Sequence, residues 1–344
     1  MQRRMTTLTL ALGLALMLVT SAAEAQYQLT NLVSNQTGQA KHDDPLLVNA
    51  WGLTYFPTGP FWVSDNGTGW STLYTSSGVK EGLEVSIPAA SGKGTGQPTG
   101  IVFNGSQSNE FQVQGWQAFF IFATLDGTIS GWAPQSNPNA AIIAVNNSGT
   151  GAIYTGLAIT SHASGNFLFA ADNWNNKVDV YDGNFNLVNS FTDPTVPAGF
   201  APFGIEDIGG LVFVSFASQS GGSGGFVDIF SEAGVFLKQV AHGWPLNQPW
   251  GFAAAPKNFG TLSNTLLVAN NINKTSTINA FDVLTGQFVG TLSDVNGTHI
   301  QIDQLWGIKF GGGAAANGAV NKLFFTAGPN NNLAGTFGAI TVAQ

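Results

Sequence analysis

Amide and carboxylate side chains recur along this chain at intervals of about 50 residues, in two registers. The first register comprises Asp65-Asn66-Gly67-Thr68, Asp126-Gly127, Asp172-Asn173-Trp174-Asn175-Asn176, Ser218-Gln219-Ser220, Asn270-Asn271-Ile272-Asn273 and Pro329-Asn330-Asn331-Asn332. The second is Asn49, Gln97, Gln248 and Gln304, each three residues ahead of a glycine that opens an apolar run. Carboxylate and amide oxygens can hold a hard cation such as calcium, and amides can grip a neutral polar ligand by donating and accepting together. The competing account is turn chemistry, in which Asx side chains bond their own backbone and tolerate left-handed φ. For the Asx loops the turn account is the stronger one. Two further groups contain histidine: His42, Asp43 and Asp44, then His299 and Asp303. A histidine beside several carboxylates can bind a divalent metal or run acid–base chemistry. No spacing here is diagnostic, because the chain has no His-x-x-x-His pair, no Asp-rich calcium loop and no Gly-x-Ser-x-Gly elbow. His162, His242 and the Glu206-Asp207 pair stand apart and carry no motif.

The elements that must position these residues follow from one repeated phrase. A glycine opens an apolar strand in Trp51-Gly52-Leu53, Thr99-Gly100-Ile101, Thr155-Gly156-Leu157, Phe203-Gly204-Ile205, Trp250-Gly251-Phe252 and Trp306-Gly307-Ile308. The glycines lie 48, 56, 48, 47 and 56 residues apart. Such a period, rich in strand signals, predicts an all-β fold, a six-bladed β-propeller with one four-stranded antiparallel blade per repeat. Second strands such as 118–123, 211–216 and 322–326 are continuously apolar, as expected for strands covered on both faces. The last repeat lacks a fourth strand, and one strand at 27–33 is left over. The N-terminal strand is therefore expected to close the last blade. The repeated glycine is expected where inner strands crowd the axis, for close approach and an unusual φ. Trp51, Phe203, Trp250 and Trp306 are expected as core wedged between blades. In the closed ring the amides would line the channel mouth, and the His42 and His299 loops would be neighbours.

Composition narrows the partners. Charged residues are 9% of the 344, the formal net charge is -8, and there is no cysteine. The chain has no basic patch, which argues against nucleic acid and anionic membranes. Arg3 and Arg4, the apolar run 8–19 and Ala23-Glu24-Ala25 form the pattern of a secretory signal peptide over 1–25. The expectation is a secreted or periplasmic protein, a single monomeric domain over 26–344, with no membrane span after cleavage.

The phrases Asn49-Ala50-Trp51-Gly52-Leu53 and Phe61-Trp62-Val63-Ser64-Asp65-Asn66 resemble NHL and gluconolactonase-like propellers. Together with Leu305-Trp306-Gly307-Ile308-Lys309-Phe310-Gly311 and Phe325-Thr326-Ala327-Gly328-Pro329-Asn330, they also resemble an uncharacterised family of exported bacterial proteins, some with a PEP-CTERM sorting tail. That family implies a fold and an address, and no activity. The lactonase resemblance implies a divalent metal held by Glu, Asn and Asp near the axis, and no Glu stands at the expected entrance here. The leading expectation is an exported, non-catalytic module binding a small molecule, glycan or protein through its Asp/Asn-rich face. A metal-dependent hydrolase or lactonase at the channel mouth is the alternative. A structural or adhesive surface protein is a third, favoured by exposed aromatics on one face.

Overall fold

The computed structural model describes residues 26–106, 109–160 and 165–343. Residues 1–25, expected as a signal peptide, and His162 lie outside the described residues. Six four-stranded antiparallel sheets form a ring, a six-bladed β-propeller. The first blade shows the pattern: inner strand Ala50–Tyr55, then Phe61–Asp65, Trp70–Tyr74 and the outer strand Lys80–Ser86. The last blade joins Leu305–Phe310, Leu323–Ala327 and Thr336–Val342 to the N-terminal strand Tyr27–Ser34. Tyr27 pairs with Val342 and Ser34 with Thr336, so the two ends of the ring are sealed by backbone pairing. Tyr27 adds a second seal, its hydroxyl donating to the Phe259 carbonyl of the fifth blade at 2.9 Å.

Second strands are buried throughout in the first, second, fifth and sixth blades, which explains their unbroken apolar run. Each junction between neighbouring blades holds its own apolar cluster. Leu53, Phe61 and Tyr74 meet Phe324 and Phe337 where the last blade abuts the first. Phe169 and Val178 meet Phe216 and Phe230 between the third and fourth. Stability therefore rests on six interfaces between blades, not on one central core.

The repeated glycine sits where each inner strand touches the next. A Cβ on Gly251 would stand 2.5 Å from the Trp306 carbonyl oxygen, and one on Gly156 would stand 3.0 Å from that of Phe203. Gly307 of the last blade meets the Trp51 carbonyl of the first in the same way, so the contact runs round the ring. The expected unusual φ is not found, since none of the six glycines has positive φ. Close approach alone demands the missing side chain. Every inner strand also carries a β-bulge at or beside this glycine. A bulge re-aims a side chain. The expectation that Trp51, Phe203, Trp250 and Trp306 wedge between blades is accordingly corrected. Trp51, Trp250 and Trp306 meet one another, with Phe203 and Leu125 against them. These residues come from five blades, so they meet on the axis. Among the described residues no helix is long and apolar enough to cross a membrane.

Candidate functional site

The channel mouth is closed by its own side chains. The Trp51 ring stacks on Trp306 at 3.7 Å, and Trp250 stands edge-on to both at 6.2 and 5.9 Å. Trp250 Nε1 donates to the Thr155 carbonyl and Trp306 Nε1 to Asn49 Oδ1, each at 2.9 Å. Below the plug, Leu53, Ile101, Leu157, Ile205, Phe252 and Ile308 line a space of about 20 Å³, which is room for about one water. Toward the far end of the inner strands, Lys309 Nζ bridges to Glu206 Oε1 at 2.9 Å, tying the sixth blade to the fourth.

Most of the amides expected to ring this mouth are spent on the scaffold. Asn66 Nδ2 donates to the Pro98 carbonyl at 3.1 Å, Asn173 Nδ2 to Pro202 at 2.9 Å and Asn271 Nδ2 to Leu305 at 2.9 Å. Each acceptor lies two residues before the next blade's glycine. Odd-numbered blades thus clasp their successors, while Leu125, Ala217 and Gly328 hold that place in the even ones. Asn49 donates to Asn66 Oδ1 at 3.0 Å. Gln248 Nε2 reaches the Gly222 carbonyl at 2.6 Å. Gln97 receives the Leu125 N–H on its backbone carbonyl at 3.0 Å. Gln304 Oε1 is buried without a partner. Asn49, Gln248 and Gln304 share left-handed backbone, with φ of 49°, 50° and 53°.

The carboxylates divide similarly. Asp65 is fully buried, receives the Thr72 hydroxyl on Oδ2 at 2.8 Å, and has no partner on Oδ1. Burial pushes its pKa well above the ordinary carboxylate value. Asp172 caps its own loop, accepting from Ile153 N at 3.1 Å and Asn175 Nδ2 at 2.7 Å. Asp126 does not share their place, because strand Phe120–Thr124 ends at Thr124, and Asp126 accepts from the Ala90 N–H instead. Asn330 is likewise two residues past Gly328, and its N–H donates to Asp303 Oδ2 at 3.0 Å.

The histidine groups do not converge. His42–Asp43 pairs parallel with Val33 and Ser34 on the last blade. Asp44 is buried at the junction with the first blade, bound by Tyr74 Oη at 2.7 Å and Lys80 Nζ at 2.9 Å. His299 lies instead between the fourth and fifth blades. The ring does bring the chain ends together, but His299 faces a cleft two junctions away from Asp44. Among the described residues, no three His, Cys, Asp or Glu side chains gather as a metal centre.

Two clefts flank the fifth blade on the loop face. One, of about 570 Å³, includes Lys274, Gln301, Asp303 and Asn330. The other, of about 510 Å³, is walled by Trp244, Asn247, Thr277, Asn279, Thr291 and His299. Trp244 is 83% exposed, yet its loop is pinned. The Pro245 carbonyl accepts from Asn270 Nδ2 at 2.8 Å, and Leu246 is buried in the junction between the fourth and fifth blades. The Trp244 ring lies edge-on to Phe288 at 5.4 Å. Sequence reasoning missed this residue. Its signal was a tryptophan within Gly243-Trp244-Pro245, a turn between strands where no sheet can cover the ring. Of the expected residues, Asn270 and His299 meet here.

No family model matches the chain. It is 29% identical over 341 residues to an uncharacterised protein of Acanthamoeba polyphaga mimivirus, covering 94% of this chain and 82% of that one. A second uncharacterised mimivirus protein is 33% identical over 260 residues, 70% of this chain and 47% of that one. These relatives are viral, and they lend no support to a bacterial, exported family. Among solved structures, the chain resembles a gluconolactonase from Xanthomonas campestris with a TM-score of 0.56 and 12% identity, over 86% of this chain and 87% of that one. Virginiamycin B lyase from Staphylococcus aureus matches at 0.54 and 16%, over 93% and 100%. At such identities the likeness is one of fold, and it agrees with the distant gluconolactonase-like resemblance read from the strand phrases.

Proposed function

We propose that this chain is an exported, non-catalytic binding module whose Trp244 cleft takes a neutral carbohydrate. The observation that carries the reading is Trp244, exposed to 83% on a loop held by buried amides. Leaving a large apolar side chain in water forgoes about 1.5–3 kcal/mol of burial. A fixed, exposed indole is accounted for by a ligand that covers it. The apolar C–H face of a sugar suits an indole face, and its hydroxyls need partners that donate and accept. Asn247, Thr277, Thr291 and His299 on the cleft wall are of that kind. The hydrolase alternative draws on the lactonase and lyase neighbours. Against it, His299 is the only titratable side chain among the residues lining this cleft, and a general acid–base pair needs two. Titration of the chain 26–344 with a panel of neutral oligosaccharides, followed by tryptophan fluorescence, tests the proposal. Binding by at least one member, weakened ten-fold or more in Trp244→Ala, is the expected result. Failure of the whole panel, or equal binding by the variant, overturns it.

A further inference from the structure

The third blade contains a control for a puzzle in the fourth. Asp179 lies at the centre of strand Lys177–Tyr181, buried in its blade. It is fully served: Lys177 Nζ lies 2.7 Å from Oδ1, Ser190 Oγ donates to Oδ1 at 2.6 Å, and Tyr154 Oη donates to Oδ2 at 3.0 Å. Asp228 holds the same place on strand Phe226–Phe230 and is 0% exposed. The surrounding donors are gone. Phe226 stands where Lys177 stands, Pro202 where Tyr154 stands, and Gln239 pairs across the sheet where Ser190 does. Neither carboxylate oxygen of Asp228 closes a hydrogen bond.

What faces Asp228 is another acid. Asp193, from the connection between the third and fourth blades, is 3% exposed and lies near enough to Asp228 for its charge to act on that carboxyl. Asp193 Oδ1 is occupied by Thr195 N and Oγ1, both at 2.7 Å, while Oδ2 has no partner. Thr192 Oγ1, the preceding side chain, is also buried and unpartnered. The joint around Asp228 is otherwise apolar, with Phe191, Phe200, Phe226 and Phe230 in its cluster. Two carboxylates in such a place repel each other and lack the water that would solvate them. Burial pushes the Asp228 carboxyl up to about 7; Gln239 opposes that rise and the neighbouring Asp193 adds to it.

We propose that Asp193 and Asp228 form a buried site for calcium in the joint between the third and fourth blades. The unpartnered buried groups are all oxygens: Asp193 Oδ2, both oxygens of Asp228, and Thr192 Oγ1 beside Asp193 in the chain. Oxygen-only sets built on carboxylates select hard cations, and calcium tolerates an irregular shell better than magnesium. No nitrogen or sulfur ligand is present to favour zinc. The ion takes the role that Lys177 plays in the third blade, so its effect is to lock one blade joint. The site lies away from the Trp244 cleft and does not depend on the function proposed there.

The test uses the chain 26–344, stripped with EDTA and held at pH 8, above the value of about 7 to which the Asp228 carboxyl is pushed. Added calcium chloride at millimolar concentration is expected to raise the melting temperature by roughly 2–5 °C. Calorimetric titration is expected to show one site per chain. Asp228→Asn, which removes one charge at constant shape, is expected to abolish both signals, while Asp179→Asn leaves them. Absence of binding heat and of a thermal shift in the unaltered chain overturns the proposal. So does a calcium response that survives Asp228→Asn. Stabilisation on lowering the pH to 6, with no calcium binding at pH 8, identifies a shared proton and also overturns it.

Discussion

Removing the Tyr27 side chain tests how the ring is held shut. Tyr27 begins the N-terminal strand, is buried, packs on Phe259 at 4.8 Å between ring centroids, and donates its hydroxyl to the Phe259 carbonyl at 2.9 Å. Truncating a buried aromatic to alanine costs about 3–5 kcal/mol. Losing the hydrogen bond, with a buried carbonyl left unpaired, adds about 1 kcal/mol. Tyr27→Ala should therefore cost about 4–6 kcal/mol, a large part of the ~5–15 kcal/mol typical of a folded domain. Tyr27→Phe retains the packing and should cost about 1 kcal/mol. Deleting 26–34 also removes the buried Leu32 and Val33, each worth about 1.5–3 kcal/mol, together with the pairing to Thr336–Val342. That shortened chain is expected to lose cooperative unfolding. Urea denaturation read by tryptophan fluorescence is a suitable assay, because Trp51, Trp250 and Trp306 from three blades report jointly on ring closure. A cost below about 1 kcal/mol for Tyr27→Ala would show that the seam is closed by something other than this strand.

Two further outcomes follow from the same geometry. Asp65 has a raised pKa caused first by burial, so the unfolded chain releases that proton at lower pH than the folded one. Its contribution is therefore greatest in acid and declines as pH rises from about 4, the ordinary carboxylate value, toward the folded pKa. Relative to Asp65→Asn, the unaltered protein should lose stability over that climb in urea titrations at successive pH values, and a gap independent of pH would contradict the assignment. Gly251→Ala would bring a Cβ to 2.5 Å from the Trp306 carbonyl. A cost of about 1–3 kcal/mol is expected for such overpacking, and a neutral result by thermal denaturation would remove close approach as the reason for the glycine.

Much of this was legible in advance. Gly52, Gly100, Gly156, Gly204, Gly251 and Gly307 are spaced by a backbone-to-backbone contact that no other residue permits, so the contact leaves a mark at every blade. The strand at 27–33 was legible as the missing fourth strand, because blades need a complete set of partners. Side-chain destinations were another matter. Asp126 and Asn330 shared a composition with Asp65 and Asp172 but not a register, since loop length differs between blades and only strand pairing sets equivalence.

The order and number of blades, their buried second strands and the closure by the N-terminal strand were thus determined by the chain's local pattern, because periodicity and burial act on neighbours along the backbone. Where Trp51, Asn66, Trp244 and Asp228 point was decided by tertiary structure. A bulge turned one tryptophan onto the axis, and a neighbouring blade's carbonyl claimed the asparagine. A pinned turn held the Trp244 ring in water. Asp193, which lies 35 residues from Asp228 (228 minus 193), brought a second acid against the first. Each of these outcomes depends on an atom far away in sequence, and no spacing along the chain records it.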